Sequence, residues 1–134
     1  MCELCEKTGG DLVWQNGLCR VVLVEDGDYP GFCRVILNRH VAEMTDLPMD
    51  ERMALMKVVF FVEEAVRDVL APDKVNLASL GNVIPHLHWH VIPRFTGDRH
   101  FPNPIWGHAL RPESVPQAPG WRQILESRLR EALG

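Results

Sequence analysis

The segment His86-Leu87-His88-Trp89-His90 sets three imidazoles at strict alternation, with apolar residues between them. In an extended strand, residues two apart face the same side, so this spacing predicts one imidazole edge and one edge built for a hydrophobic core. Same-side Cα atoms follow one another at about 6.6 Å, which separates the outer pair by about 13 Å. Zinc–nitrogen bonds are only about 2.0–2.1 Å long, so an unbent strand brings two such rings to one ion more easily than three. The spacing better suits three different tasks along an elongated polar ligand such as a phosphate chain. Neutral imidazole is nucleophilic near neutral pH, its attack on phosphorus gives a phosphoramidate that water can open, and a neighbouring protonated histidine can supply a proton to a leaving oxygen. A lone histidine would read as a polar residue on a solvent face; three in register outweigh that reading.

Cys2 and Cys5 form a second constellation, a CxxC pair suited to thiolate ligation or redox chemistry. Cys19 and Cys33 sit in apolar runs and read as buried small hydrophobes. In the aromatic stretch after the triad, Trp106, His100 and His108 are candidates for packing against a sheet.

These residues need elements to hold them. "LVWQNGLCRVVL" gives two β-rich runs around Asn16-Gly17, a hairpin dipeptide, and a Pro-Gly turn leads into a third strand, "FCRVIL". From Met49 to Leu70, Met53, Met56, Val59, Phe60, Val66 and Val69 recur at helical steps, with Glu51, Lys57, Glu63, Glu64, Arg67 and Asp68 mainly opposite. One long amphipathic helix is expected, stopped at Ala71-Pro72. "DKVNLASLGN" and "HLHWHVIPR" read as a fourth and a fifth strand. A proline-rich aromatic segment and a closing helix marked by Trp121, Ile124, Leu125, Leu129 and Leu133 complete an α+β domain on an antiparallel five-stranded sheet.

With 134 residues, 46% of them hydrophobic, the chain fits one domain with an adequate core. A net charge of −4 offers no broad basic field for nucleic acid. The longest apolar run, Val58 to Val62, is far short of the roughly 20 residues that cross a bilayer, and the acidic N-terminus lacks a signal-peptide apolar stretch. A cytoplasmic protein with a nucleotide-like ligand is expected.

The heptad His86-Leu87-His88-Trp89-His90-Val91-Ile92 resembles the signature His-φ-His-φ-His-φ-φ, with φ apolar, of the histidine triad (HIT) family of nucleotide hydrolases and transferases. The resemblance runs over residues 2 to 95, taking in the CxxC pair, "PGFCRVILNRH", the long helix and Gly81-Asn82, and is similar in particular to a bacterial diadenosine polyphosphate hydrolase-like branch. It implies a HIT-like fold, with residues 1–110 as the HIT domain and 111–134 as a tail and helix packed on it. It also implies a homodimer acting on a purine nucleotide. His88 would attack the α-phosphorus, His90 would hydrogen-bond the phosphate and leaving-group region, and His86 would orient the site or ligate a metal. Asn82 stands near the phosphate where many members carry glutamine; Trp106 and Asn76 are further candidate substrate contacts. Zinc-bearing relatives would place a structural ion between Cys2, Cys5, His40 and His86, a closed Cys₂His₂ set.

The implied reaction is hydrolysis of dinucleoside polyphosphates of the diadenosine tetraphosphate kind, or of adenosine phosphoramidates, through a nucleotidyl-histidine. The alternatives are nucleotidyl transfer to another acceptor, and a nucleotide-binding or zinc-organised interaction protein without turnover. Two positions depart from the family pattern: Phe32 replaces a common histidine, and Val83 a common hydroxyl residue.

Overall fold

The computed structural model describes residues 2–134. Its centre is an antiparallel five-stranded sheet of β1 (Asp11–Gln15), β2 (Cys19–Leu23), β3 (Cys33–Leu37), β4 (Lys74–Ala78) and β5 (His88–Arg94), in the spatial order β1-β2-β3-β5-β4. Short α1 (Glu3–Glu6) precedes the sheet, α2 (Met49–Leu70) joins β3 to β4, and α3 (Trp121–Leu133) closes the chain. Among the described residues, no helix is long and apolar enough to cross a membrane.

The first hairpin forms where Asn16 can satisfy its turn: its side-chain oxygen accepts from the backbone N–H groups of Leu18 and Cys19, both at 2.9 Å. Gly31 holds φ at +91° ahead of β3, and a Cβ there would collide with the Leu70 side chain, so the turn depends on glycine. The helix α2 ends as the proline after it requires, with Ala71 in the left-handed region and its N–H donating to the Arg67 carbonyl at 3.0 Å.

The two faces of the sheet have different fates. Val21, Leu23, Cys33, Val35, Leu37, Val75 and Val91 face α2 and α3 in the main core, and Cys19 joins them as a buried hydrophobe. The other face carries Val22, Phe32, Arg34, Ile36, His88, His90, Ile92 and Arg94, and is covered in part by the N-terminal segment and in part by the irregular stretch after β5. Arg20 fixes the N-terminal cover by donating to the carbonyls of Leu4, Lys7 and Thr8 at 2.7–3.1 Å.

Two expectations need correction. The buried stripe of α2 is Leu55, Val58, Val59, Val62, Ala65, Val66 and Leu70, whereas Met53 and Phe60 are 65% and 54% exposed. At 100° per residue, packing α3 beside α2 draws Val58 and Ala65 into the core and turns the Met53–Phe60 edge outward. The triad, too, is not wholly on a strand. Pro85 has no N–H, and the N–H of His86 closes a tight turn onto the Ile84 carbonyl at 2.8 Å, so β5 begins only at His88.

Candidate active site and metal centre

The turn at His86 separates the three histidines into two centres. The His86 ring is fully buried, and its Nε2–H donates to the Leu37 carbonyl at 2.6 Å. A carbonyl can only accept, so this bond assigns the proton to Nε2 and leaves the Nδ1 lone pair free. Nδ1 lies 3.3 Å from Cys2 Sγ and 3.4 Å from Cys5 Sγ, and Cys5 Sγ lies 3.5 Å from His40 Nδ1. Ligand atoms of all four residues fall within 4.8 Å of one another.

A tetrahedral zinc with bonds of about 2.3 Å to sulfur and about 2.0–2.1 Å to nitrogen holds sulfur and nitrogen about 3.5–3.6 Å apart and the two sulfurs about 3.8 Å apart. The donor set therefore fits zinc in type, number and spacing, and the Leu37 carbonyl is the outer-shell partner a ligating histidine uses. Cys2 and Cys5 reach the cluster because α1 is pinned from below: Leu4 packs on Val22 and Ile36.

His88 and His90 stand on β5 with ring centroids 4.9 Å apart, near perpendicular. His88 donates from Nδ1–H to the carbonyl of His86 at 2.6 Å, and that carbonyl again fixes the tautomer, leaving the Nε2 lone pair free. Ser79 Oγ donates to the His88 carbonyl at 2.8 Å, tying the strand behind the ring. The two histidines line a cleft of about 360 Å³ together with Arg34, Asn82, Val83 and Trp106.

His90 is the floor of this cleft, touched by the Phe32 ring at 5.7 Å and the Trp106 ring at 4.9 Å between centroids. Burial, then the neighbouring His88 and the Arg34 cation, holds its imidazole down at about 4, from an ordinary 6.5. Since the unfolded chain takes up this proton near 6.5 and the folded chain only near 4, the stabilisation is whole above that window and is lost as pH falls through it. Urea midpoints should fall across these pH values by an amount worth about 2–3 kcal/mol in total, and less steeply in His90→Asn. Parallel curves for the two proteins would remove His90 as the cause.

Trp106 reaches the cleft from an irregular segment, so something must hold that segment. The sequence reading missed it: Arg94 and Asp98, 2% and 1% exposed, form a bidentate pair at 2.8 and 3.1 Å. Arg94 also donates to Asn76 Oδ1 at 2.8 Å and to the Asn103 carbonyl at 2.7 Å, with the Tyr29 and Phe101 rings each 5.6 Å away. Burial alone would raise the Asp98 carboxyl, but the bonds from Arg94 and from the backbone N–H groups of Phe95, Phe101 and His100 bring it down to about 2. A fully hydrogen-bonded buried pair of this kind costs about 3–5 kcal/mol to break from one side. The structure thus gives Asn76 a partner outside the cleft, its side-chain oxygen being taken by Arg94. His100 is likewise engaged, with its Nδ1 2.6 Å from the Tyr29 hydroxyl. Asn82 and Trp106 remain at the cleft, both solvent-exposed, while Val83 stands at its rim, 92% exposed.

A family model described as "HIT domain" matches residues 7–97. A curated relative named AP-4-A phosphorylase, from Mycobacterium tuberculosis, is 31% identical over 90 residues, covering 63% of this chain and 46% of its own. The chain thus spans about half the length of the curated relatives it matches. Among solved structures, a histidine triad protein from Bradyrhizobium japonicum is similar at 30% identity and a TM-score of 0.75, with 92% of each chain covered. A histidine triad protein from Marinobacter aquaeolei is similar at 29% identity and a TM-score of 0.75, with 99% of this chain and 96% of the other covered.

Proposed function

The chain belongs to the HIT family, and from that premise we propose that it cleaves nucleotides at the α-phosphorus through a covalent intermediate on His88, with water as the final acceptor. The observation that carries this reading is the hydrogen bond from His88 Nδ1 to the His86 carbonyl, which presents Nε2 to the cleft as a lone pair. In the first step the Nε2–P bond forms and the bond from phosphorus to the leaving oxygen or nitrogen breaks. His90 is neutral in the free protein, and a phosphate arriving beside it favours its protonated form. It can then donate a hydrogen bond, or a proton, to the departing group. In the second step water attacks phosphorus and passes its proton to His90, the N–P bond breaks, His88 is restored and the nucleoside monophosphate leaves. Asn82 and Trp106 serve as phosphate and base contacts at the cleft mouth. Zinc held by Cys2, Cys5, His40 and His86 would supply a structural cross-link between the N-terminus and the base of the triad, without entering the reaction.

A homodimer in the cytoplasm belongs to the same reading. The strands β1 and β4 are the outer strands of the sheet, and Met49, Met53 and Phe60 are exposed along α2.

The name of the mycobacterial relative favours a second acceptor, inorganic phosphate. One experiment separates the possibilities: incubation with diadenosine tetraphosphate and adenosine phosphoramidate in ¹⁸O-water, with and without phosphate. Hydrolysis yields labelled adenosine monophosphate whether or not phosphate is present. Phosphorolysis yields unlabelled adenosine diphosphate only when phosphate is added, and a binding protein yields no product.

A further inference from the structure

Three arginines lie on the triad face of the sheet, and their side chains are satisfied very unequally. Arg20 donates to three carbonyls of the N-terminal segment, and Arg94 to a carboxylate, an amide oxygen and a carbonyl. Arg34 sits between the buried residues Phe32 and Ile36 on β3, where apolar residues are the rule, and donates only from Nη1, to the Gly9 carbonyl at 2.9 Å. Its Nε is buried and without a partner, and among the described residues it forms no ion pair. A cation in such a row whose buried Nε finds no partner, with its charge met only at longer range by Glu3, costs stability, so its placement calls for a use.

The register supplies one. Arg34 is the β3 partner of His90 on β5, and His90 Nδ1 is also buried and unpartnered. Two orphaned polar atoms therefore stand on directly paired residues, in the wall of the cleft that His88 faces. The Phe32 ring, with the Arg34 guanidinium carbon 5.7 Å from its centroid and the His90 ring beside it, braces both. A guanidinium presents several N–H donors in a planar fork matched to phosphate oxygens, and it remains charged at every working pH.

We propose that Arg34 binds a second phosphate of the substrate, beyond the one whose phosphorus His88 attacks, and so makes this cleft selective for nucleotides that carry such a group. The inference deepens the nucleotidyl-transfer reading and rests on it for the position of the first phosphorus. The second phosphate can belong to the leaving polyphosphate chain or to the ribose of the nucleoside.

The test compares kcat/KM for three substrates. Adenosine 5′-phosphoramidate has neither group, diadenosine tetraphosphate has the chain, and 3′-phosphoadenosine 5′-phosphoramidate has the ribose phosphate. Wild-type protein should favour one of the latter two over the first, and Arg34→Met should lower kcat/KM for that substrate by about ten- to a hundredfold more than for the plain phosphoramidate, erasing the preference. Arg34→Lys, which keeps the charge but not the fork, should recover part of the preference. Melting curves identify any variant that does not fold, and Arg34→Gln then takes the place of the methionine variant. A wild type without preference, an unchanged preference in Arg34→Met, or an equal fall on all three substrates overturns the proposal. Should no substrate turn over, the hydrolase reading fails by itself. Dissociation constants for adenosine monophosphate, diphosphate and 3′,5′-bisphosphate, measured on wild type and Arg34→Met, then decide the role of Arg34 by the same comparison.

Discussion

His88→Ala should lower the turnover of any nucleotide this protein cleaves by at least about a thousandfold while leaving nucleotide affinity within a few-fold of wild type. The asymmetry follows from where the contacts lie. In the proposed reading, binding draws on Asn82, Trp106 and the other residues that line the cleft beside His88. Attack on phosphorus has one correctly oriented lone pair, on Nε2, because the His86 carbonyl holds the proton on Nδ1 at 2.6 Å. A rapid acid-free quench of wild-type protein with labelled substrate should trap a nucleotidyl group on His88, stable in alkali and lost in acid as a phosphoramidate is. Turnover near wild type in the alanine variant, or an adduct on His86 or His90, would contradict this assignment.

The alternation along "HLHWH" was legible because a period of two is written directly into the sequence, and it sets His88 and His90 on one face of β5. The first hairpin and both ends of the long helix were equally readable, since Asn16-Gly17 and Ala71-Pro72 act through local backbone chemistry. What stayed hidden depended on partners distant in the chain. The rotation of α2 that exposes Met53 and Phe60 is set by α3, more than fifty residues later in sequence. Asn76 looked available to substrate, yet its side chain answers Arg94, 18 residues away. Arg34 and Arg94 both interrupt apolar strands, and the sequence gives no means of telling them apart. Only the fold shows that Asp98 pairs with one, while among the described residues the other forms no ion pair and keeps a buried Nε without a partner. The breaks in strand patterning were the available signal.

Loss of the metal should act on the fold far more than on the chemistry. His86 links the two centres: its ring faces the sulfurs of Cys2 and Cys5, and its carbonyl orients His88. The carbonyl, however, is also held by the local backbone, with Leu87 N–H donating to the Val41 carbonyl at 2.7 Å and the Leu87 carbonyl accepting from Leu37 N–H at 3.1 Å. Removing a zinc held by these four residues would thus loosen α1, while His88 would keep its support from the sheet. A ligand bound a thousandfold above its dissociation constant stabilises the native state by about 4 kcal/mol, which in a domain of this size is a drop in melting temperature on the order of 10 °C. Cys5→Ala and His40→Ala should each show that drop, the double variant little more, and wild type stripped by a chelator should melt with the variants. Rates at saturating substrate, below the transition, should stay within a few-fold of wild type. Metal analysis of protein purified without chelators should give about one zinc per chain; protein that carries no zinc and melts at the same temperature after either substitution would show that the four residues hold no structural ion.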